Sequence, residues 1–285
     1  MAEFLRSVPK PWKKMHARSA RALLRAEGTT LKAMRETLRT VVDRVVRHMS
    51  MGRTMERAQA MAAIQQASAM LAVGFEDDLR MGRQLARREA IAQLLRELEL
   101  ADRQLVRAGV PSNGLMRVEA IPPSESPEDS LRAHLAAQSL GTAWAAAALA
   151  KTMQGVGSDT PEAIQQAADA SDWRLKRTAT NEVATAFSDE SDEGVGWVSE
   201  QRQAGPWVGA LFRLWNGLLD RRICSTCLGH DGEIVVVGQS FDSGDKPGFV
   251  HLGCRCTPSL VFLPWRLTHT TPGHYTGLDD EDEAA

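Results

Sequence analysis

Between Leu31 and Met49 the apolar positions fall at Leu31, Met34, Leu38, Val41, Val42, Val45, Val46 and Met49. That three-and-four spacing predicts an amphipathic helix, with Thr29 or Thr30 suited to its N-cap. Thr54 is suited to cap a second helical region running to Gly109, with a break expected around Gly74 or Gly82. Its last part places Ile91, Leu94, Leu95, Leu98 and Leu105 on one face, the pattern of core packing or helix pairing. Gly109, Pro111, Ser112, Asn113 and Gly114 then stop it.

The segment Pro122-Pro123-Ser124-Glu125-Ser126-Pro127 is polar and has nothing to bury, and it predicts the main linker. Ser126 or Ser130 is suited to start the next helix, which extends through Ala150. Thr160-Pro161-Glu162 has the form of a helix start with proline in the first turn, and a further helix is expected from Asp172 to Phe187. Residues 188–206 are acidic and contain glycine, which predicts a loop with a short helix inside it. Ile234 to Val237 predicts a short strand, because β-branched residues suit a pleated surface.

The fold class expected is mainly α: a helical N-terminal region, then a helical or α+β C-terminal domain ending in a small zinc-knuckle module. In residue terms this is a basic helical region over 1–121, a linker over 122–127, helices over 128–213, the metal module over 214–265 and an acidic tail over 266–285.

Composition refines this picture. With 43% apolar and 25% charged residues, the chain has the make-up of a protein that folds in water. Residues 1–15 lack the apolar run of a secretory signal, and Pro9 and Pro11 are expected to break any helix there; a cytoplasmic origin follows as an expectation. The most apolar stretch, His134 to Ala150, is mostly alanine, which gains too little from lipid to span a membrane. The net charge of −2 conceals a division: residues 1–110 carry +9 and the remainder −11. Arg35, Arg39, Arg44 and Arg47, with Lys32, lie opposite the apolar stripe of the first helix. They form either a solvated face or a contact surface for nucleic acid or an acidic protein.

The chemistry is concentrated near the C-terminus. All four cysteines fall between Cys224 and Cys256, as Cys224-Ser225-Thr226-Cys227 and Cys254-Arg255-Cys256, and His251 precedes Cys254 by three positions. A two-residue spacer lets one turn present two ligands to one ion, and C-x-x-C and H-x-x-C both have it. Two close pairs point to metal ligation, with reduced thiols and disulfides as the alternatives. The candidate zinc ligands are Cys224, Cys227, His251, Cys254 and Cys256, with Cys256 as a fifth because a one-residue spacer makes joint ligation with Cys254 harder. His230 is expected to be a loop histidine before the Asp231-Gly232 turn. There is no internal repeat, Walker-type phosphate loop or G-x-S-x-G elbow.

The run Leu214-Trp215-Asn216-Gly217, then Asp220-Arg221-Arg222-Ile223-Cys224-Ser225-Thr226-Cys227, Asp231-Gly232-Glu233 and Pro247 to Cys256 resembles the C-terminal signature of tailed-phage head morphogenesis proteins. These are the minor head proteins related to protein F of phage Mu. Upstream, Arg177-Thr178-Ala179-Thr180-Asn181-Glu182 is similar to the family's Arg-Thr-Glu element, with Asn181 inserted. Leu252 stands where the family pattern has proline. The resemblance covers about residues 170–262 and does not reach the first 125. It implies a non-enzymatic minor capsid component in few copies, inside the head at or near the portal vertex. Its expected partners are the portal and other capsid proteins, with non-specific contact to double-stranded DNA through the basic half and no membrane partner. The rival readings are an enzyme, either a zinc-dependent nuclease or a toxin-like transferase, and a DNA-binding zinc protein. A catalytic zinc needs an open position and a nearby base, and neither H-E-x-x-H nor H-x-E occurs.

Overall fold

The computed structural model describes residues 10–50, 57–107, 127–154, 160–201, 211–217, 224–237, 239–241, 243–251 and 254–262. These residues are mostly helical, with a small sheet near the C-terminus. Five long elements come first: α1 (Lys10–Ser50), α2 (Arg57–Arg107), α3 (Pro127–Gln154), α4 (Thr160–Asp169) and α5 (Asp172–Gln201). β1 (Leu211–Asn216), the short α6 (Ser225–His230), β2 (Ile234–Val236) and β3 (Thr257–Phe262) follow. The expected linker over 122–127 lies outside the described residues except for Pro127, which opens α3. The acidic tail over 266–285 and the Thr54 cap also lie outside them.

The chain packs as two compact units, one drawn from 25–84 and 125–183, the other from 1–24, 85–124 and 184–285. In the first, Met34, Leu38, Val42 and Met49 of α1 join Ile64, Leu71, Phe75 and Leu79 of α2, Trp144 of α3, Ile164 of α4 and Leu175 of α5 in one buried cluster. The alanine-rich stretch is a helix with one buried face: Ala137, Ala145 and Ala148 lie in that core, while Leu135, Gln138, Thr142 and Ala146 are exposed. No helix of the described residues is long and apolar enough to cross a membrane.

Several sequence expectations are corrected here. α2 runs without interruption through Gly74 and Gly82. A Cβ on Gly74 would stand 2.5 Å from Thr37 Cγ2, and one on Gly82 would stand 2.2 Å from Thr30 Oγ1. These glycines permit close helix approach and are not breaks. Neither Thr29 nor Thr30 is a cap, because α1 begins at Lys10; Thr30 is buried and its hydroxyl donates to the Ala26 carbonyl at 2.9 Å. Pro11 sits in the first turn of α1, where its missing N–H costs nothing.

The same unit explains the Arg-Thr-Glu-like stretch on α5. Glu182 is buried and accepts from Arg83 Nη1 at 2.7 Å, while the other arm of that guanidinium holds Asp129. Thr180 donates to Glu27 at 3.4 Å. Arg177 is exposed.

In the second unit the acidic stretch expected to be a loop is the continuation of α5 to Gln201. Three of its acids are paired with cations from other segments. Glu190 pairs with buried Arg87 at 2.7 Å, Asp189 with Lys246 at 3.0 Å, and Asp192 with both Lys246 and Arg213. Phe187, Val195 and Val198 of the same stretch are buried. A three-stranded antiparallel sheet in the order β2-β1-β3 completes the unit, with Phe212 opposite Val236 on one side and Val261 on the other. β1 and β3 were not anticipated from the sequence.

Candidate metal centre

β1 is the base of the site. Its Trp215 is fully buried and packs with Cys227, Val235, Phe241, Cys254 and Cys256. The turn after α6 is clamped to β1 by three hydrogen bonds: Gly232 N–H to the Trp215 carbonyl at 2.8 Å, Trp215 N–H to the Glu233 carbonyl at 2.8 Å, and Gly217 N–H to Asp231 Oδ1 at 2.7 Å. Gly232 has φ 89°, a conformation in which a side chain would be strained.

Cys224 is the N-cap of α6, and its sulfur accepts the Cys227 N–H at 3.3 Å. That bond folds C-x-x-C so that both sulfurs face one point. The second pair is built in a similar way. Gly248, at φ 86°, lies where a Cβ would stand 2.9 Å from Ser188 Cβ, so the loop before His251 seats tightly on α5. Ser188 also donates to the Pro247 carbonyl. Cys254 N–H then donates to the His251 carbonyl at 3.0 Å, closing the H-x-x-C turn.

The five candidate ligands converge. His251 Nε2 lies 3.2 Å from both Cys224 Sγ and Cys227 Sγ, and Cys227 Sγ lies 3.7 Å from Cys254 Sγ. Two overlapping groups share Cys227: Cys224, Cys227 and His251 toward solvent, and Cys227, Cys254 and Cys256 inside. Tetrahedral ligation with ordinary zinc bond lengths separates two sulfurs by about 3.7 Å and a sulfur from a nitrogen by about 3.5 Å. The observed distances fit that scale, and the cluster could hold a metal ion.

The thiols divide electrostatically. The Cys227 N–H draws the Cys224 thiol down to about 7, and the hydrogen bond from Cys256 draws Cys254 down to about 5. Burial pushes Cys227 up to about 12, and Cys256 rises because it donates its proton to Cys254. At neutral pH Cys254 is thus a thiolate and Cys224 about half ionised, beside two protonated sulfurs.

His230 has another task. Its ring stacks on Trp215 with centroids 4.4 Å apart, Nδ1 lies 2.9 Å from Glu233 Oε2, and Nε2 lies 3.5 Å from Asp245 Oδ2. Phe241 meets the same indole edge-on at 5.0 Å. Sequence reasoning did not identify this aromatic shell; the Asp231-Gly232-Glu233 turn beside His230 was its only signal.

The four α1 arginines lie elsewhere, all exposed. Arg35 makes a bidentate pair with Asp172 at 2.6 and 2.8 Å, and Arg39 holds Glu36 at 3.1 Å. Arg47 Nε donates to the Asp43 carbonyl at 3.1 Å, and Arg44 faces solvent. Arg35 is thus already matched by a carboxylate. Comparison of the chain with protein-family models, curated proteins and solved structures gives no match to any of the three.

Proposed function

We propose that this chain is a minor head protein of a tailed phage, acting in head morphogenesis at or near the portal, and that its C-terminal module is stapled by one structural zinc. The observation that carries the reading is spatial. Trp215, Cys224, Cys227, the Asp231-Gly232 turn, His251 and Cys254, which carry the sequence resemblance, are also the residues that fold around one another.

Zinc is the ion of choice for a set of thiolates and one imidazole. Cys224, Cys227, His251 and Cys254 are the four ligands, with Cys256 as a thiol donor to Cys254 behind them. A non-catalytic role is supported by the crowding of soft donors at one point and by Glu182, the acid of the Arg-Thr-Glu-like stretch, being held by Arg83. Partners in this reading are the portal and neighbouring capsid proteins, with packaged DNA as a further contact. Proteomic quantification of purified full heads is the test. The protein is expected there at a few copies per particle, and heads that contain none of it would remove the reading.

A further inference from the structure

Lys14 and Arg18 stand one turn apart on α1, and Arg96, Leu100 and Arg103 follow one another along a face of α2. Together with Met15 and Glu99 they line a cleft of about 370 Å³. That volume lies in the range of ligand sites, roughly 300–1,000 Å³. Among the described residues four cations face the cleft and one carboxylate answers them: Glu99 reaches Arg103 at 3.7 Å, with both side chains well exposed. Arg96 Nε is buried and has no hydrogen-bond partner among the described residues. A buried guanidinium N–H without an acceptor is costly unless something supplies one.

From this geometry we infer that the cleft is a binding site for phosphate groups. A phosphate offers several strong acceptor oxygens to the converging guanidinium and ammonium donors and relieves their mutual repulsion. Met15 and Leu100 supply an apolar floor. Among the described residues the lining has no aromatic ring on which a base could stack, which favours recognition of phosphate over nucleobase and neutrality to sequence. The site is built from residues other than the α1 arginines 35–47 and the candidate metal ligands, and it stands whether or not the protein belongs to a phage head.

The test uses the full-length protein, with labelled duplex DNA in fluorescence anisotropy and inorganic triphosphate in calorimetry as separate arms. The exposed pair Arg18→Glu with Arg103→Glu is compared with Arg39→Glu with Arg44→Glu, each first checked for unchanged helical circular dichroism. Binding by the wild type should weaken about tenfold or more in the cleft variant at low salt. For DNA, the slope of log affinity against log salt should fall by about two. The Arg39/Arg44 variant should lose much less. Loss in both arms, or in either arm alone, supports the site and identifies whether its phosphates come from a nucleic-acid backbone, a free polyphosphate or both. Absence of binding in both arms, or binding that the cleft variant leaves intact, overturns it.

Discussion

Glu97, buried on α2, accepts the backbone N–H of Leu260 in β3 at 2.8 Å through Oε2, while its Oε1 accepts from Gln93 Nε2 at 2.6 Å. β3 is an edge strand, and here a helix side chain takes up one of its outward N–H groups. Burial pushes the carboxyl from its ordinary 4.5 up to about 8, outweighing the hydrogen bonds and the charge of Arg96. Glu97 is therefore neutral at pH 7, and a carboxylic proton has an acceptor at hand. Gln93 Oε1 is buried without a partner among the described residues, and turning that amide over brings it to Glu97.

The folded state thus holds a proton that the unfolded state releases near 4.5. The stability this gives is complete below that value, is lost as pH rises toward about 8, and changes no further above it. Within the window the slope is about 1.4 kcal/mol per pH unit. Glu97→Gln keeps an acceptor for Leu260 and a donor for Gln93, so it should fold and flatten the dependence. Urea unfolding at several pH values checks this, and an unchanged slope in the variant would place the titration elsewhere.

Removal of a metal ligand should act locally. The purified chain should carry about one zinc, and Cys224→Ser or Cys227→Ser should abolish it and unfold the segment around α6 and β2, because metal-binding energy is folding energy in so small a module. The long helices of the other unit should keep their circular dichroism. Cys254→Ser, His251→Ala and Cys256→Ser should lose zinc in that decreasing order, measured by metal analysis. Native protein with four freely reactive thiols and no metal would contradict the zinc reading.

Trp215 and His230 separate packing from ligation. Trp215→Ala removes a fully buried indole and should cost about 3–5 kcal/mol in this unit. His230→Gln should retain stoichiometric zinc, because the ring faces Trp215, Glu233 and Asp245 and not the sulfurs. Loss of zinc in this variant would make His230 a ligand.

Gly82→Ala offers a reversal of sign. Helix propensity alone favours alanine by about 1 kcal/mol. The new methyl would collide with buried Thr30, so a net loss of about 1–3 kcal/mol is expected. Thr30→Ala should recover part of it in the double variant, read as non-additivity of melting or urea midpoints.

A last measurement concerns Arg87 and Glu190, whose side chains are almost wholly buried. Truncating either alone breaks a buried ion pair and should cost about 3–5 kcal/mol, whereas replacing both by apolar residues should cost much less. Equal losses in the single and double variants would show instead that the pair itself, and not a stranded charge, supplies the stability.

What was legible in the sequence is what short-range geometry dictates. The spacing of Cys224, Cys227, His251 and Cys254 marks two turns that can meet at one ion, and the stripe from Met34 to Met49 marks a helix face whatever it packs on. The rest depended on partners distant in the chain. β1 shows no alternation because both faces of this central strand are covered: Phe212 and Leu214 are buried on one, while Arg213 and Trp215 meet Phe241 on the other. β3 was obscured by Pro258 and by polar Ser259, which an edge strand accepts when Gln93 is there to hydrogen-bond the serine. The acidic run from Asp189 to Asp192 has the composition of a loop. It is helical because Arg87, Arg213 and Lys246 arrive from other segments to neutralise it, and local propensity is too small to decide against partners of that kind.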